Sequence, residues 1–89
     1  MGGVNREDIS RIERARRKDV YEYLLMNHSG EVIKVGNTLK LMQKKSVKIR
    51  KGYAGYIDYD SGERGNSIDL MMKYFGYSFR DAVDMLLDI

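Results

Sequence analysis

Apolar residues recur with helical spacing at both ends of the chain and with strand spacing in between. Over residues 9–27 this spacing predicts an N-terminal helix, which Asn5 can cap with Asp8 in its first turn. Residues 14–18 are too polar for deep burial, so we expect the helix to break or to lie exposed there. Gly30 is expected to end it, because glycine accepts the left-handed conformation found at helix C-termini.

The middle of the chain consists of short segments in which apolar and polar residues alternate, as they do in half-buried strands. Gly36-Asn37 suits a two-residue hairpin turn, and Lys51-Gly52 turns the chain again. We therefore predict a small antiparallel sheet of three or four strands. The strand segments are residues 32–35, 38–42, 46–50 and 53–59.

Helical spacing returns after residue 65 and predicts two helices that form a C-terminal helical hairpin. Asn66 caps the first, with Asp69 three residues on, and Gly76 ends it; Ser78 caps the second. The residues expected to face the core are Ile68, Leu70, Met71, Met72 and Phe75, followed by Phe79, Ala82, Val83, Leu86 and Leu87. The pattern as a whole predicts the α+β class.

Composition limits what such a fold can do. The 89 residues fit one domain, residues 1–89, and contain no cysteine, which excludes disulfides, thiolate zinc sites and iron–sulfur clusters. No apolar run approaches the roughly 20 residues of a membrane span, and because no apolar stretch follows residues 1–5, we do not expect a signal peptide there. We expect a soluble cytoplasmic protein that has no membrane partner.

The charge of the chain is unevenly distributed. Its net charge is +3, yet residues 32–57 hold seven basic side chains and no acidic one, whereas residues 58–89 carry a net charge of −4. Within the predicted strands, Lys48 and Arg50 alternate with apolar neighbours and therefore point outward. A cationic sheet face interleaved with tyrosines suits a polyanion such as nucleic acid, and a solvated lysine-rich surface is the alternative.

Motifs that would indicate catalysis are incomplete. Residues 58–63 hold three carboxylates but lack the spacing of a calcium loop, so a polar turn is the better interpretation. Ser61 has no nucleophile elbow, and His28, the single histidine, is expected to be a capping or surface residue. Residues 62–67 lack the lysine of a nucleotide loop, although Arg64 beside a helix N-terminus could hold one phosphate. We expect a non-enzymatic chain with no cofactor and no small-molecule substrate.

Over residues 62–83 the chain resembles the end of the N-terminal zinc-binding domain of bacterial DNA primases. A glycine-rich turn leads into a helix that begins Ile68-Asp69, and the family's "Gly-x-Ser-Phe-x-x-Ala-Val" pattern follows at residues 76–83. The preceding order of helix, hairpin and aromatic strand also matches, so the resemblance covers about residues 19–88. Zinc-free relatives occur in primase-like and relaxase-associated proteins of plasmids and conjugative elements, and we suspect that the chain belongs with these.

The zinc ligands of that family are missing. Its first ligand pair would fall near residues 41–45 and its second at about Asp58 and Ser61, where no cysteine or histidine stands. The resemblance thus implies a zinc-ribbon-like fold without metal, whose sheet we expect apolar packing alone to hold. The acidic final helix argues against a helix-turn-helix, because phosphate would repel it.

The resemblance implies that the sheet binds single-stranded DNA and serves an attached or separate catalytic domain in replication or conjugative transfer of a mobile element. The predicted nucleic-acid-binding residues are Lys40, Lys44, Lys45, Lys48, Arg50, Lys51, Tyr53, Tyr56 and Arg64. The main alternative is a protein-interaction module that docks on a neighbouring catalytic domain through its acidic helices. A stand-alone metal-dependent nuclease is a third hypothesis, with little in the sequence to favour it.

Overall fold

The polypeptide forms helices that cover one face of a five-stranded antiparallel sheet, in a computed structural model that describes residues 6–89. This confirms the α+β class and the two C-terminal helices. The prediction of three or four strands was wrong, because the two-residue strand β5 is too short to show alternation. The elements are α1 (Arg6–Arg16), α2 (Tyr21–Asn27), β1 (Val32–Val35), β2 (Thr38–Leu41), β3 (Val47–Arg50), β4 (Tyr56–Asp58), β5 (Arg64–Gly65), α3 (Ser67–Phe75) and α4 (Phe79–Asp88).

The N-terminal helical region breaks, as predicted, into α1 and α2. Asp19 lies in the linker, and its Oδ1 accepts a hydrogen bond of 2.9 Å from the backbone N–H of Tyr21 at the start of α2. The predicted cap at Asn5 lies outside the described residues. The prediction that Gly30 ends the helix in a left-handed conformation was wrong: α2 stops at Asn27, and Gly30 sits in a 3₁₀ turn without a positive φ. That turn leads directly into β1.

The five strands follow one another in the order β1-β2-β3-β4-β5, so each connection joins neighbours. Gly36 has a φ of +60° in the β1–β2 turn, the position at which a type II′ hairpin requires glycine, which confirms the predicted hairpin. After β3, the Arg50 carbonyl accepts from the N–H of Tyr53, and Gly52 has a φ of +89°. The next strand begins only at Tyr56, three residues later than predicted.

One hydrophobic cluster joins the inner face of the sheet to the helices. Its fully buried members come from both layers and include Leu24, Leu39, Leu41, Val47, Ile49, Leu70, Met71 and Leu86. Two predicted core residues lie at the surface instead: Met72 is 41% exposed and Phe79 is 47% exposed. Met72 lies one helical step beyond the buried side of α3, and Phe79 is the first residue of α4, at the rim of the core.

The ends of the C-terminal helices follow the predicted capping. Asn66 Oδ1 accepts from the N–H of Asp69 at 2.9 Å, and Asp69 Oδ2 accepts from the N–H of Asn66 at 3.0 Å, which completes a capping box. Gly76 ends α3 with a φ of +75°, and Ser78 Oγ accepts from the N–H of Asp81. Among residues 6–89, no helix is long and apolar enough to cross a membrane.

Candidate nucleic-acid interface

A row of side chains crosses all five strands on the face of the sheet that the helices leave open. Strand register places these residues directly opposite one another from β1 to β5. In order, they are Ile33, Lys40, Lys48, Ile57 and Arg64. Lys40 and Lys48 are direct cross-strand neighbours, and like charges in that arrangement destabilise a sheet. The row therefore concentrates positive charge on this face and lowers the stability of the sheet.

Two tyrosine rings flank this row, and each lies against a cation. The Lys48 ammonium is 4.9 Å from the centre of the Tyr59 ring, and the Arg50 guanidinium is 5.2 Å from that of Tyr53. Both rings are largely solvent-accessible, Tyr53 at 62% and Tyr59 at 56%. Cation–π contacts of this kind hold an exposed ring in place and leave its other face open to a ligand.

Part of the row and the two rings line an open groove of about 310 Å³, to which Lys48, Arg50, Tyr53, Tyr59 and Arg64 contribute. A second depression of about 370 Å³ adjoins it on the side of Lys40. No acidic residue lines either of them. We name this surface, made of Lys40, Lys48, Arg50, Tyr53, Tyr59 and Arg64, the cationic sheet face. Within residues 6–89, its four cations have no ion-pair partner.

Three of the residues predicted to bind nucleic acid are ion-paired or buried. The Lys44 ammonium lies 2.8 Å from Asp58 Oδ2, and the Lys51 ammonium lies 3.4 Å from Glu22 Oε2. The third is Tyr56, which borders the groove but faces inward and is only 5% exposed. Lys45 is exposed in the β2–β3 turn, apart from the groove.

Strand parity explains the position of Tyr56. In β4, Tyr56 and Asp58 face inward, and Ile57 and the following Tyr59 face the open side. The Tyr56 ring packs edge-on against Tyr74 at 5.4 Å, and burial raises its pKa above the ordinary value. Tyr59 takes its place as the second exposed ring. With Tyr56 facing inward, alternation places Tyr59 on the opposite face. The sequence prediction did not include Tyr59, because residue 59 also falls in the segment 58–63 that was interpreted as a polar turn.

An ion pair joins the two segments at which the resemblance places the zinc ligands of the primase domains, residues 41–45 and residues 58–61. Asp58 is completely buried at the end of β4, its Oδ1 accepts from the N–H of Asp60, and its Oδ2 faces Lys44 from the β2–β3 turn. The expectation that apolar packing alone holds the sheet was therefore wrong. In the described part of the chain, no group of side chains could hold a metal ion.

The start of α3 offers little room for a phosphate. Side chains of the capping box already accept from the N–H groups of Asn66 and Asp69, and Asp69 places a carboxylate there. Arg64 instead belongs to the row across the sheet, since it lies opposite Ile57. Arg64 is therefore part of the cationic sheet face and not of the N-terminus of α3.

The single histidine lies in a structural network away from the cationic sheet face. His28 Nδ1 is 3.0 Å from Glu31 Oε1, and its Nε2 is 3.1 Å from the hydroxyl of Tyr77, which in turn is 2.9 Å from that of Tyr23. Burial raises the pKa of Tyr77 to about 12. The network ties the end of α2 to the turn between α3 and α4. The backbone N–H of His28 donates to the carbonyl of Leu24 and so caps α2, in line with the predicted capping role.

Comparison with known proteins adds no relative to this picture: no family model, curated protein or solved structure matches the chain.

Proposed function

We propose that this chain is a single-stranded DNA-binding accessory module, non-catalytic by itself. The observation that carries the proposal is the unpaired cation row Lys40–Lys48–Arg64 with two exposed tyrosine rings beside it. Proteins that bind single strands without sequence preference combine a positive groove for the backbone with aromatic rings on which bases stack. Phosphates would pair with the lysines and arginines, and unpaired bases with Tyr53 and Tyr59.

Exposed rings favour a single strand over a duplex. Bases in a duplex are stacked on one another, so Tyr53 and Tyr59 would have no base plane to contact there. Phosphate contacts alone would remain, and these supply only weak binding that depends strongly on salt. We therefore expect single strands to bind more tightly than duplexes of the same length, with little preference among sequences.

The biological setting is proposed from the resemblance to primase zinc-binding domains. In that setting the chain is a zinc-free, zinc-ribbon-like module of a cytoplasmic primase-like or relaxase-associated protein of a plasmid or conjugative element. Its partner would be a catalytic domain on the same or a separate chain. The Lys44–Asp58 ion pair supports this view, because it joins the two segments where the family's ligand pairs would fall.

The test is a titration of fluorescent single-stranded DNA at low and moderate salt, followed by anisotropy. We expect binding by the unaltered protein, and a loss of at least tenfold in affinity when Lys48→Glu and Arg64→Glu are combined. The matched control combines Arg14→Glu with Arg80→Glu, which makes the same total charge change at exposed positions on α1 and α4. Absence of binding at low salt would refute the proposal.

The protein-interaction alternative predicts a different result. If the acidic helices were the working face, the chain would capture a neighbouring catalytic domain, and the capture would survive Lys48→Glu with Arg64→Glu. One of those acids is already used within the chain, because Asp84 Oδ1 lies 3.2 Å from the Arg11 guanidinium. The cationic sheet face, whose cations lack such partners, is the more available surface.

A further inference from the structure

The loop that presents Tyr53 to the cationic sheet face is held from behind by the linker between α1 and α2. In this loop, residues 51–55, only the N–H of Lys51 bonds to the neighbouring hairpin, at the carbonyl of Asn37, and β4 begins only at Tyr56. An isolated glycine-containing loop would be flexible, and an aromatic side chain on it would lose freedom when a base stacks on it. The loop is instead fixed at both ends.

Asp19 holds the beginning of the loop. Its Oδ2 accepts a hydrogen bond of 2.6 Å from the N–H of Gly52, directly before Tyr53, and its Oδ1 accepts from the N–H of Tyr21. One carboxylate thus joins the first turn of α2 to the turn that carries Tyr53. Nearby, the Lys51 ammonium lies 5.8 Å from the centre of the Tyr21 ring and faces Glu22.

Ser67 holds the end of the loop. Its hydroxyl is fully buried, accepts from the N–H of Gly55 at 3.1 Å and donates to the carbonyl of Lys18, the residue before Asp19. The two adjacent linker residues therefore reach both ends of the loop, Asp19 directly and Lys18 through Ser67.

We infer that Asp19 is a positioning residue for nucleic-acid binding: it fixes the Gly52 turn so that Tyr53 is preset for stacking. This inference rests on the proposed function. Asp19 itself faces the back of the loop and does not line the groove. Its effect on affinity would come from the ordering cost that a preset loop avoids when a base binds.

The sign of the effect separates positioning from simple electrostatics. Asp19→Asn removes a negative charge near a cationic surface, which by charge alone would strengthen binding to DNA. An amide offers one acceptor oxygen in place of two, so one of the two backbone hydrogen bonds must be lost. A looser loop would weaken binding. We expect the affinity for a fluorescent oligothymidylate to fall by about threefold to tenfold.

Glu22→Gln is the matched control, because it removes the same charge from α2 without touching the backbone of the loop. We expect its affinity to equal or exceed that of the unaltered protein, since it releases Lys51. The second comparison repeats Asp19→Asn in a Tyr53→Leu background. If Asp19 acts through Tyr53, the substitution causes no loss of affinity there and leaves only the small gain from the removed charge, although its effect on thermal stability is unchanged.

The outcomes are distinguishable. Failure of the unaltered protein to bind the oligothymidylate contradicts the proposed function and this inference with it. Binding by the unaltered protein, together with equal or tighter binding by Asp19→Asn, overturns the inference alone. So does an equal loss of affinity in both backgrounds. Gly52→Ala perturbs the same loop in a second way and leaves Asp19 in place. The φ of +89° at residue 52 strains any residue with a side chain. The loss of affinity in Gly52→Ala must also disappear in the Tyr53→Leu background.

Discussion

The ammonium of Lys44 lies 2.8 Å from Oδ2 of Asp58, a carboxylate with no solvent exposure. This contact ties the β2–β3 turn to the end of β4, two segments 14 positions apart in the chain. A hydrogen bond from the N–H of Asp60 holds the other carboxylate oxygen. Because a buried carboxylate without a partner is strongly disfavoured, the fold depends on Lys44 staying in place.

Replacing Asp58 by asparagine should destabilise the protein clearly. The amide fills the same space but removes the charge that Lys44 faces and places an N–H₂ group where an acceptor is needed. The matched control is Glu63→Gln, since Glu63 also pairs with a lysine, Lys73, at 2.6 Å, but on the surface. Exposed pairs contribute little. Urea denaturation followed by circular dichroism should show a large fall in the midpoint for Asp58→Asn and almost none for Glu63→Gln; equal falls would contradict the role of burial.

Acid should remove the contribution of the same pair. The hydrogen bond from Lys44, followed by that from Ser46, holds the pKa of the Asp58 carboxyl well below its usual range. A carboxyl whose pKa is lower in the folded state stabilises the fold fully above its unfolded pKa of about 3.9, and loses this contribution as pH falls toward the folded pKa.

We therefore expect the stability difference between the unaltered protein and Asp58→Asn to be constant above about pH 5 and to shrink progressively below about pH 4. Urea midpoints measured across this range provide the test. A difference that grows on acidification would show that the carboxyl is harder to ionise in the fold than in the unfolded chain, contrary to the expected sign.

The sequence predicted the elements that depend on local signals and missed the contacts that depend on register. Capping at Asn66 and Ser78 and the hairpin turn at Gly36 are set by neighbouring residues, and the structure has all three. The ion pair of Lys44 depends on the three-dimensional fold, because its partner Asp58 lies beyond the basic segment 32–57. Counting charges segment by segment therefore assigned Lys44 to a free cationic surface. Likewise, Tyr56 faces inward because β4 begins at that residue, and the predicted strand over residues 53–59 did not show where the alternation starts.

Gly55 should not tolerate a side chain. Its φ is +83°, and a Cβ atom there would collide with the backbone carbonyl of Gly65, which cannot move without disrupting the pairing of β4 with β5. Gly62 provides the control, because it has a similar φ of +80° and open space around it. We expect Gly62→Ala to cost about 1 kcal/mol from strain alone and Gly55→Ala to cost about 3 kcal/mol or more. Equal losses in thermal denaturation would contradict the close approach.

Tyr59 should contribute to binding through its ring and not through its hydroxyl. Stacking of a base on an aromatic side chain is worth about 1–3 kcal/mol, so Tyr59→Ala should weaken binding of single-stranded DNA by at least fivefold. Tyr59→Phe keeps the ring and its contact with Lys48 and should bind nearly as well. Tyr56→Phe is the control for a buried ring, and anisotropy titrations should show no change for it. A loss in Tyr59→Phe equal to that in Tyr59→Ala would argue against stacking.

Stability and binding should respond in opposite directions when Lys40 is replaced by threonine. The substitution removes the like-charge contact with Lys48 across β2 and β3, which should stabilise the fold by roughly 0.2–1 kcal/mol. For single strands, the negative slope of log affinity against log salt becomes shallower by about 0.7 for each phosphate contact removed. We expect this change for Lys40→Thr, together with weaker binding. Lys34→Thr, on β1 opposite Leu39, is the control for strand propensity and lacks both effects. If the salt slope of Lys40→Thr equals that of the unaltered protein, Lys40 contacts no phosphate, and the cation row does not carry the DNA backbone.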